Sequence, residues 1–456
     1  MVNQNTIEML KELGTKPLPR YTSYPTAPEW MDSVNDGVLF SKLKTVKHQD
    51  QGLALYLHIP FCQQQCWYCG CNTIIKKRSE HADLYLEYLF KEIDIIISHT
   101  GPDLKVVQMH WGGGTPNFLN NTQLDLLIEK LDKSFDIDWS GEVSIEIDPR
   151  TCSPDKLRYL RKLGFNRVSL GIQDFHDEVQ KAINRIQSYE LVEELVKTAR
   201  EAEFVSVNFD LVYGLPFQTE ENFTETLEKT ISLKPDRLAL YSFAYLPQLR
   251  PHMKLIKKEN LPEPDAKLGL FLQGREAFLK EGYTEIAMDH FALKTDELSL
   301  AFEEGRLKRN FMGYTTQNVE NSLGLGASSI SYIDHAYIQN AREVKDYYAS
   351  LDKGHVPLSK LKVLDNDDLI RKWTIQELMC NLKVNKSEFA KIFHTEFDEY
   401  FKEEKEFLSP LLIKGFLSDT EKILQVEETG KLLIRYICSG FDAYLKKNAR
   451  MFSSLV

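Results

Sequence analysis

Four of the chain's seven cysteines lie in one short segment, HIPFCQQQCWYCGCNT (58–73). They are Cys62, Cys66, Cys69 and Cys71, with the spacing C-x3-C-x2-C-x-C. Three thiolates on one tight loop can hold three irons of a [4Fe-4S] cubane and leave the fourth iron open. The segment therefore predicts an iron–sulfur centre with a position at which chemistry can occur.

A structural zinc site is the main alternative use of clustered cysteines. Such a site typically has two pairs of ligands separated by a dozen or more residues. No second cysteine pair and no suitably spaced histidine follows this loop in the sequence. The spacing therefore favours the cluster over zinc.

A second motif, WGGGTP (111–116), contains three consecutive glycines. Glycines let the backbone approach a ligand closely and offer its amide groups without obstruction by side chains. A plain tight turn is an alternative reading of the same residues. The position of the motif favours a ligand site, because it follows a predicted strand just as the cysteine loop does.

Short β-branched or aromatic runs alternate along the chain with longer amphipathic patterns. These patterns predict the strands and helices that position the two motifs. Strands are predicted at 53–59, 106–111, 142–148, 167–172, 205–212 and 237–243. Helices are predicted between them at 81–97, 122–135, 153–164, 188–202 and 219–232. This α/β alternation predicts crossover connections and a parallel sheet, either closed into a partial barrel or left open and doubly wound.

The rest of the chain is less regular and predicts two further units. A helix is expected at 264–282 and a further strand with its exit at 285–292, followed by helices at 369–382, 386–393 and 403–415, a strand at 423–426 and a final helix. We predict an N-terminal arm (1–50) that starts with a short amphipathic helix, a barrel with its extension (51–360) and a small helical or winged-helix-like domain (361–456). The acidic helices of the last unit favour a packing or lid role over DNA binding.

The composition excludes several classes of protein. With 456 residues, 43% hydrophobic residues and a net charge of -11, the chain is an ordinary globular protein that should not bind nucleic acid or an anionic membrane. The start, MVNQNTIEMLKELG, lacks the basic and apolar regions of a signal peptide, and no apolar run is long enough to span a membrane. An odd number of cysteines, four of them clustered, does not resemble a secreted disulfide framework and fits a reducing compartment, so we expect a cytoplasmic protein.

Polar residues recur at the predicted carboxyl ends of the later strands. They are Glu146, Gln173, Asp210 and Tyr241 near strand ends and Arg185 in the INRIQ segment, and the apolar Ala244 finishes the sixth strand beside them. Each one alone could simply be a strand-end residue whose hydrogen bonds are made within the fold. Parallel α/β folds build their active sites at this end of the sheet, so the set together predicts a ligand site beside the cysteine loop.

The cysteine loop after the first strand and GGGTP after the second together resemble the radical S-adenosylmethionine (SAM) superfamily. Further segments resemble the oxygen-independent coproporphyrinogen III oxidase family, over essentially the whole chain: PRYTSYPTA, YCGCN, EIDPR, GIQDF, INRIQ, NFDLVYGLP, AMDHFA and RNFMGYTTQ. The resemblance implies a partial (β/α)6-type radical SAM barrel. It also implies a 5'-deoxyadenosyl radical that converts two propionates of coproporphyrinogen III into the vinyl groups of protoporphyrinogen IX.

The resemblance also assigns roles to individual residues. It implies Cys62, Cys66 and Cys69 as cluster ligands and Cys71 as an additional thiol that does not bind iron. It implies two bound SAM molecules, one contacted by Tyr56, Gly113, Glu146 and Ile330, and the other by Tyr68, Gly114, Thr115, Gln173, Arg185, Asp210 and Ala244. We name Tyr56, His58 and Cys71 as catalytic candidates. His58 would serve proton or electron transfer, although a packed strand histidine is the plain alternative.

The implied substrate carries four propionates, so an acidic protein must supply basic residues locally. Arg20, Lys308 and Arg309 are candidates, with surface solvation as the alternative reading. The implied partners are coproporphyrinogen III and an electron donor such as a flavodoxin or ferredoxin, and the family suggests a monomer.

Two rival functions belong to a sister branch of the same superfamily, a haem-binding chaperone and a haem-degrading radical enzyme. The chaperone lacks the fourth loop cysteine and has a His-Asn-x-x-Tyr-Trp element where this chain has RNFMGY (309–314). Both differences favour the oxidase.

Overall fold

A twelve-stranded sheet forms the centre of the described part of the chain. The computed structural model describes residues 4–14, 16–32, 35–47, 49 and 51–445. In chain order the strands are β1 Leu53–Ile59, β2 Phe61–Cys62, β3 Ile74–Ile75, β4 Lys105–Gly113, β5 Asp136–Ile147, β6 Arg167–Gln173, β7 Ser206–Tyr213, β8 Arg237–Ser242, β9 Tyr283–Ala287, β10 His290–Leu293, β11 Lys308–Asn310, β12 Gly313–Thr315, β13 Ser322–Leu325, β14 Ile330–Ile333, β15 Ala336–Asn340, β16 Leu358–Val363, β17 Lys383–Asn385, β18 Leu417–Asp419 and β19 Ile423–Val426.

The helices surround this sheet and form the carboxyl-terminal unit. In chain order they are α1 Gln4–Leu13, α2 Asp36–Lys47, α3 Asp83–Thr100, α4 Asn121–Ser134, α5 Pro154–Lys162, α6 Asp177–Ala182, α7 Tyr189–Glu201, α8 Glu220–Ser232, α9 Pro264–Lys280, α10 Glu297–Glu303, α11 Val344–Asp352, α12 Asn366–Asn381, α13 Lys386–Phe393, α14 Phe397–Tyr400, α15 Glu404–Ile413 and α16 Ile434–Ser439. No helix within these described ranges is long and apolar enough to cross a membrane.

The parallel half of the sheet has the strand order β1-β4-β5-β6-β7-β8, and every neighbouring pair in it is parallel. The predicted partial (β/α)6 barrel is therefore confirmed, with the intervening helices close to their expected positions. Helix starts follow local capping: the Ser153 hydroxyl accepts a hydrogen bond from the Lys156 amide, and Thr219 does the same for Asn222. All six carboxyl strand ends lie at one rim because parallel strands share a direction.

The sheet extends beyond this half at both edges. β13 pairs in parallel with β1, and β14, β15 and β16 continue it in antiparallel fashion. At the far edge, the strand and exit predicted at 285–292 correspond to β9 and the turn after it, and a second strand that was not predicted, β10, completes a hairpin there. Met288 has a φ of 49°, and Asp289 forms an ion pair with Arg20. The tight turn at these two residues interrupts what the sequence presents as one apolar run.

The two largest of five buried apolar clusters hold most of the described core. The larger lies between the sheet and its helices and contains the buried Trp111, whose ring meets Phe165 edge-on at 5.0 Å. Burial of such a side chain contributes on the order of 2–3 kcal/mol. The second core joins α1 to the carboxyl-terminal helices, with Leu10 and Leu13 in the same cluster as Ile437.

The carboxyl-terminal unit combines α12, α13 and α15 with a three-stranded sheet in the order β17-β19-β18. This matches the predicted small helical, winged-helix-like character. The N-terminal arm packs against this unit through α1 and touches β16 of the central sheet at an isolated bridge between Met31 and Leu361. The unit boundaries at residues 50 and 360 stay a prediction, and position 50 itself lies outside the described residues.

Candidate functional site

The cysteine loop begins at the carboxyl end of β1 and is fixed by a short parallel pairing. Phe61 and Cys62 in β2 lie opposite Ile74 and Ile75 in β3, so the loop is closed at its base. Cys62, Cys66, Cys69 and Cys71 all line one cavity of about 670 Å³. This is the site the spacing predicts, with the thiols gathered at a strand end.

Positive and polar groups surround the thiols. The Cys66 Sγ lies 3.3 Å from the Arg150 Nη2 and 3.5 Å from the Arg185 Nη1. The Cys71 thiol hydrogen bond lowers the pKa of Cys69 to about 7, whereas burial raises the pKa of Cys62 to about 12. The thiolate is the form of cysteine that binds metal, and the two guanidinium groups beside Cys66 would offset the charge of a bound thiolate.

The glycine run at the end of β4 lies against the cysteine loop. Gly113 has a φ of 112°, and a Cβ there would stand 2.6 Å from the His58 ring. A Cβ on Gly114 would stand 2.7 Å from the carbonyl carbon of Pro60. Only glycine fits this close approach of two strand ends. The Gly114 amide donates to the Ile59 carbonyl at 2.9 Å, which ties the two motifs together.

Glu146, near the end of β5, holds the glycine run from the other side. Its carboxylate accepts a hydrogen bond from the Gly113 amide at 3.1 Å and lies 3.4 Å from the His110 Nε2. Burial alone would raise the pKa of Glu146, but hydrogen bonds from His110 and Gly113 bring it below its ordinary value. A carboxylate held in this way can accept hydrogen bonds from ribose hydroxyls or an amino group.

Two further strand ends bring polar side chains into the same cavity. Burial raises the pKa of Asp210 in β7 to about 6, although Ser169 and Asn208 donate hydrogen bonds to its carboxylate at 2.8 and 3.0 Å. Gln173 ends β6 with a φ of 68°, in the left-handed region that few side chains adopt. Such backbone strain concentrates at functional sites, and here the residue lines the cavity.

Asp148 joins two arginines beneath the cysteine loop. It accepts hydrogen bonds from the Arg150 Nη2 at 2.7 Å and from the Arg185 Nη2 at 3.2 Å. The side chains of Asp148 and Arg185 are only 8% and 7% exposed. Arg185 also donates to the Gly171 carbonyl at 2.6 Å, so this pair connects β5, β6 and Cys66.

Tyr56 and His58 in β1 form a hydrogen-bonded pair on the other side of the glycine run. The His58 Nε2 lies 3.1 Å from the Asn72 carbonyl oxygen, which can only accept, so Nε2 carries the hydrogen. Nδ1 is therefore the acceptor for the Tyr56 hydroxyl at 3.1 Å. Burial lowers the pKa of His58, which favours the neutral ring in this arrangement.

All the candidate site residues line one of two adjoining cavities. The larger cavity is lined by Cys62, Cys66, Tyr68, Cys69, Cys71, Gly113, Gly114, Thr115, Glu146, Gln173, Arg185, Asp210 and Ala244. The second, of about 420 Å³, is lined by Tyr56, His58 and Ile330 and shares Cys71, Gly113 and Glu146 with the first. The structure thus brings the candidates together, while the role of each one stays a prediction.

Sequence reasoning missed four polar residues that belong to this site. Asp148 and Arg150 lie in the quoted EIDPR segment, so a carboxylate and a guanidinium after a strand were a visible signal. Arg250 and Arg342 line both cavities, and neither side chain has an ion pair with any described residue. Nothing local marks these two, because Arg250 lies in the long segment between β8 and α9 and Arg342 in the short connection between β15 and α11.

The three basic residues suggested for the substrate are largely engaged elsewhere. Arg20 forms an ion pair with the buried Asp289, and Arg309 donates to the carbonyl oxygens of Arg20 and Tyr21. Lys308 lies 3.5 Å from a Glu377 carboxylate oxygen, at the edge of a separate cavity of about 450 Å³. Neither arginine lines the two site cavities, so both fit a structural role better.

The residues present fit an iron–sulfur cluster and a bound cofactor that carries a carboxylate group. Three thiols face one cavity beside glycine amides, and the Arg185 Nε is buried without a hydrogen-bond partner among the described residues. No three His, Cys, Asp or Glu side chains in the described ranges converge closely enough to hold a single metal ion. A [4Fe-4S] cubane does not need side chains that converge on a single ion, because each thiolate binds its own iron.

Comparison with known proteins gives the class of this fold and site. A family model described as the radical SAM superfamily matches residues 56–230, which span the cysteine loop and the strands up to β7 and α8. The parallel half-sheet and the three-cysteine loop on its carboxyl rim thus define a radical SAM protein.

Relatives that match nearly the whole chain identify the family within this class. The chain is 43% identical over 436 residues to an oxygen-independent coproporphyrinogen III oxidase of Salmonella typhimurium, covering 95% of this chain and 94% of the relative. It is 43% identical over 437 residues to the Escherichia coli K12 protein of the same name. A solved structure of E. coli coproporphyrinogen III oxidase (HemN), described as a radical SAM enzyme, superposes with a TM-score of 0.90 at 42% identity, covering 93% of this chain and 97% of that one. The chain belongs to the oxygen-independent coproporphyrinogen III oxidase family.

Proposed function

We propose that the two adjoining cavities are the place where this chain decarboxylates coproporphyrinogen III. The enzyme is an oxidoreductase that converts two propionates of coproporphyrinogen III into vinyl groups without molecular oxygen, giving protoporphyrinogen IX. The observation that carries the placement is that the thiols, the glycine run and two acidic strand ends line one continuous rim. Conversion of each propionate removes a hydrogen atom from its β-carbon and then releases carbon dioxide and one electron.

In this proposal Cys62, Cys66 and Cys69 hold the [4Fe-4S] cluster. With SAM, the bound cluster supplies the 5'-deoxyadenosyl radical that takes the hydrogen atom. Arg150 and Arg185 offset the negative charge of Cys66 and, through Asp148, keep the loop in register with β5. Cys71 stays free of iron in this assignment and remains at the edge shared by the two cavities.

Two SAM molecules are proposed, as the family resemblance implies. Glu146 and Asp210 accept hydrogen bonds from ribose hydroxyls or an amino group, and Arg185 offers its free Nε to a carboxylate. Gly113 and Gly114 admit the ligand because they have no side chain. The contacts of one molecule are Tyr56, Gly113, Glu146 and Ile330, and those of the other are Tyr68, Gly114, Thr115, Gln173, Arg185, Asp210 and Ala244.

Tyr56 and His58 are proposed as catalytic residues of the smaller cavity, with His58 serving in proton or electron transfer. The hydrogen bond from the Tyr56 hydroxyl to His58 orients both rings beside Glu146 and Cys71 in the smaller cavity. Tyr85 donates a hydrogen bond to the His58 carbonyl at 2.8 Å and fixes the backbone beneath them. The pair is therefore held rigidly where the two cavities meet.

Arg250 and Arg342 are proposed to bind substrate propionates. Both guanidinium groups line both cavities and have no ion-pair partner among the described residues. A planar guanidinium binds a carboxylate through two parallel hydrogen bonds, which suits a macrocycle with four propionates. They replace Arg20 and Arg309, whose hydrogen bonds are used within the fold.

The remaining expectations follow from the family. We propose a monomer that works in the cytoplasm and receives electrons from a carrier such as a flavodoxin or ferredoxin. The net charge of -11 agrees with a protein that does not bind nucleic acid.

Anaerobic reconstitution with iron and sulfide, followed by assay against coproporphyrinogen III, tests the function. Mass spectrometry should show substrate that has lost one and then two carboxyl groups, with 5'-deoxyadenosine formed in proportion. Stable stoichiometric haem binding without decarboxylation would support the chaperone instead. An opened macrocycle would support the haem-degrading enzyme, and 5'-deoxyadenosine formed without any change in the porphyrinogen would contradict the substrate.

A further inference from the structure

Two basic segments border the cysteine loop and contain no acidic residue. Residues 60–79 include Lys76, Lys77 and Arg78, and residues 244–258 include Lys254, Lys257 and Lys258, besides Arg250. The chain as a whole has 67 Asp and Glu in 456 residues, about one in seven (67/456). Segments of this length would ordinarily carry several acids, so the positive charge here is a local feature of an acidic protein.

Both segments are attached directly to the loop that carries the cluster ligands. The Lys76 amide donates to the Cys62 carbonyl at 2.9 Å, directly after the β2–β3 pairing. On the other side, the His252 Nε2 donates to the Cys69 carbonyl at 2.8 Å. Each basic segment is therefore hydrogen-bonded to the backbone of a proposed iron ligand, the first to Cys62 and the second to Cys69.

The six side chains face solvent rather than the substrate cavities. Lys76, Lys77, Arg78, Lys254, Lys257 and Lys258 are exposed, and none has an ion pair among the described residues. None of the six lines either site cavity. Exposed apolar residues lie in the same two segments: Leu255 is 58% exposed, and Ile75 and Leu249, which also line the mouth of the larger cavity, are 36% and 58% exposed. A charged rim around exposed apolar groups is typical of a protein contact surface.

We propose that these six residues, here called the basic collar, dock an acidic protein that delivers one electron to the cluster. The proposal rests on the proposed function, which needs a reduced cluster. In the transfer the carrier's redox group is oxidised by one electron and the cluster is reduced by one. The collar residues lie in the two segments that hydrogen-bond to the cysteine loop, and none of them lines either cavity, so a carrier bound to them would stand beside the proposed cluster ligands.

The binding test uses a purified flavodoxin of net negative charge as the probe. One triple variant, Lys76→Gln/Lys77→Gln/Arg78→Gln, removes the first half of the collar, and Lys254→Gln/Lys257→Gln/Lys258→Gln removes the second. The matched control, Lys105→Gln/Lys162→Gln/Lys280→Gln, removes three exposed charges near the strand starts, at the opposite rim. We expect calorimetry at low salt to give at least about tenfold weaker binding for each collar variant and little change for the control, with wild-type binding weakened by added salt.

A second readout follows reduction of the reconstituted cluster by stopped-flow absorbance. With reduced flavodoxin, the collar variants should be reduced at least about tenfold more slowly than wild type. With photoreduced 5-deazaflavin, a small reductant that needs no docking surface, all variants should react at the wild-type rate. Unchanged flavodoxin binding in both collar variants would overturn the proposal. So would equal losses with both reductants, which would assign the collar to the site itself.

The same reductants separate this proposal from the proposed function. If the wild-type protein with 5-deazaflavin forms no decarboxylated porphyrinogen, the function fails, whereas flavodoxin binding still tests the collar. If decarboxylation proceeds with 5-deazaflavin and the collar variants bind flavodoxin normally, only the docking surface is wrong.

Discussion

The Sγ of Cys62 lies 3.3 Å from the Oγ1 of Thr115, so the cysteine loop and the glycine run are in direct side-chain contact. Cys62 lies in β2, at the start of the cysteine loop, and Thr115 follows the glycines at the end of β4. The contact places the proposed metal ligand and a proposed SAM ligand at one point. A large substitution here would therefore disturb both the cluster and SAM binding. Only a small substitution should change one of them without the other.

Thr115→Val removes the hydroxyl and keeps the shape of the side chain. Loss of one hydrogen bond costs about 1 kcal/mol, so we expect SAM to bind about fivefold more weakly. Equilibrium dialysis measures this, while the cluster absorbance should stay at the wild-type level. Thr115→Ser is the control and should bind SAM normally. Loss of the cluster in Thr115→Val would show that the hydroxyl supports the iron ligand instead.

Asp148→Ala should strongly destabilise the protein. It leaves two guanidinium groups unpaired, one of them almost fully buried, and breaking a buried ion pair costs about 3–5 kcal/mol. Thermal unfolding of the protein without cluster should show a lowered melting temperature. Glu129→Gln breaks the exposed pair with Lys133 and should change stability by less than about 1 kcal/mol. Equal effects of the two substitutions would contradict the role given to Asp148.

Arg250→Gln and Arg342→Gln should each raise the KM for coproporphyrinogen III by about tenfold. A charge-assisted hydrogen bond to a carboxylate contributes about 1.5–3 kcal/mol, and partial exposure reduces this. The affinity for SAM and the cluster absorbance should not change, because neither arginine is assigned to them. Lys280→Gln serves as a charge-matched control. An unchanged KM in both arginine variants would mean that the propionates do not bind at Arg250 and Arg342.

Glu92 should make the protein less stable as the pH rises. Burial raises the pKa of this α3 carboxyl from 4.5 to about 7, and its hydrogen-bond donors, the Gly326 amide, Asn340 and Tyr347, are all neutral. The folded state then binds more protons than the unfolded state between these two pKa values, so stability is fully present at low pH and is lost as pH rises through about 7, by about 3 kcal/mol.

Comparison with Glu92→Gln isolates this contribution from other titrating groups. Between pH 5 and pH 8 the melting temperature of wild type should fall by several degrees relative to that of the variant. A constant difference across this range would mean that Glu92 ionises normally inside the fold.

Much of the barrel could be predicted because its strands are locally marked. The apolar run of β1 is bounded by Gly52 and Pro60, and both of its ends match the prediction. The convergence of Glu146, Gln173 and Asp210 could also be predicted, because parallel strands place their carboxyl ends at one rim. The cysteine spacing alone indicated the type of centre.

The rest depends on contacts between distant parts of the chain. The strands β13 to β16 are short, and β13 exists because it pairs with β1, a relation that no local pattern records. The β9–β10 turn depends on Asp289 meeting Arg20 from the N-terminal arm. Arg342 reaches the cavities in the same way, with its carbonyl accepting a hydrogen bond from Asn72 at 2.8 Å.

Mössbauer spectroscopy of the protein reconstituted with 57Fe, before and after addition of SAM, tests the central claim most directly. A cubane held by Cys62, Cys66 and Cys69 has one iron without a protein ligand, so SAM should change about one quarter of the iron signal and leave the other three quarters unaltered. Cys66→Ser should abolish the cluster spectrum, and Cys71→Ser should retain it. A spectrum with no [4Fe-4S] component, or one in which SAM changes no iron, would contradict the account.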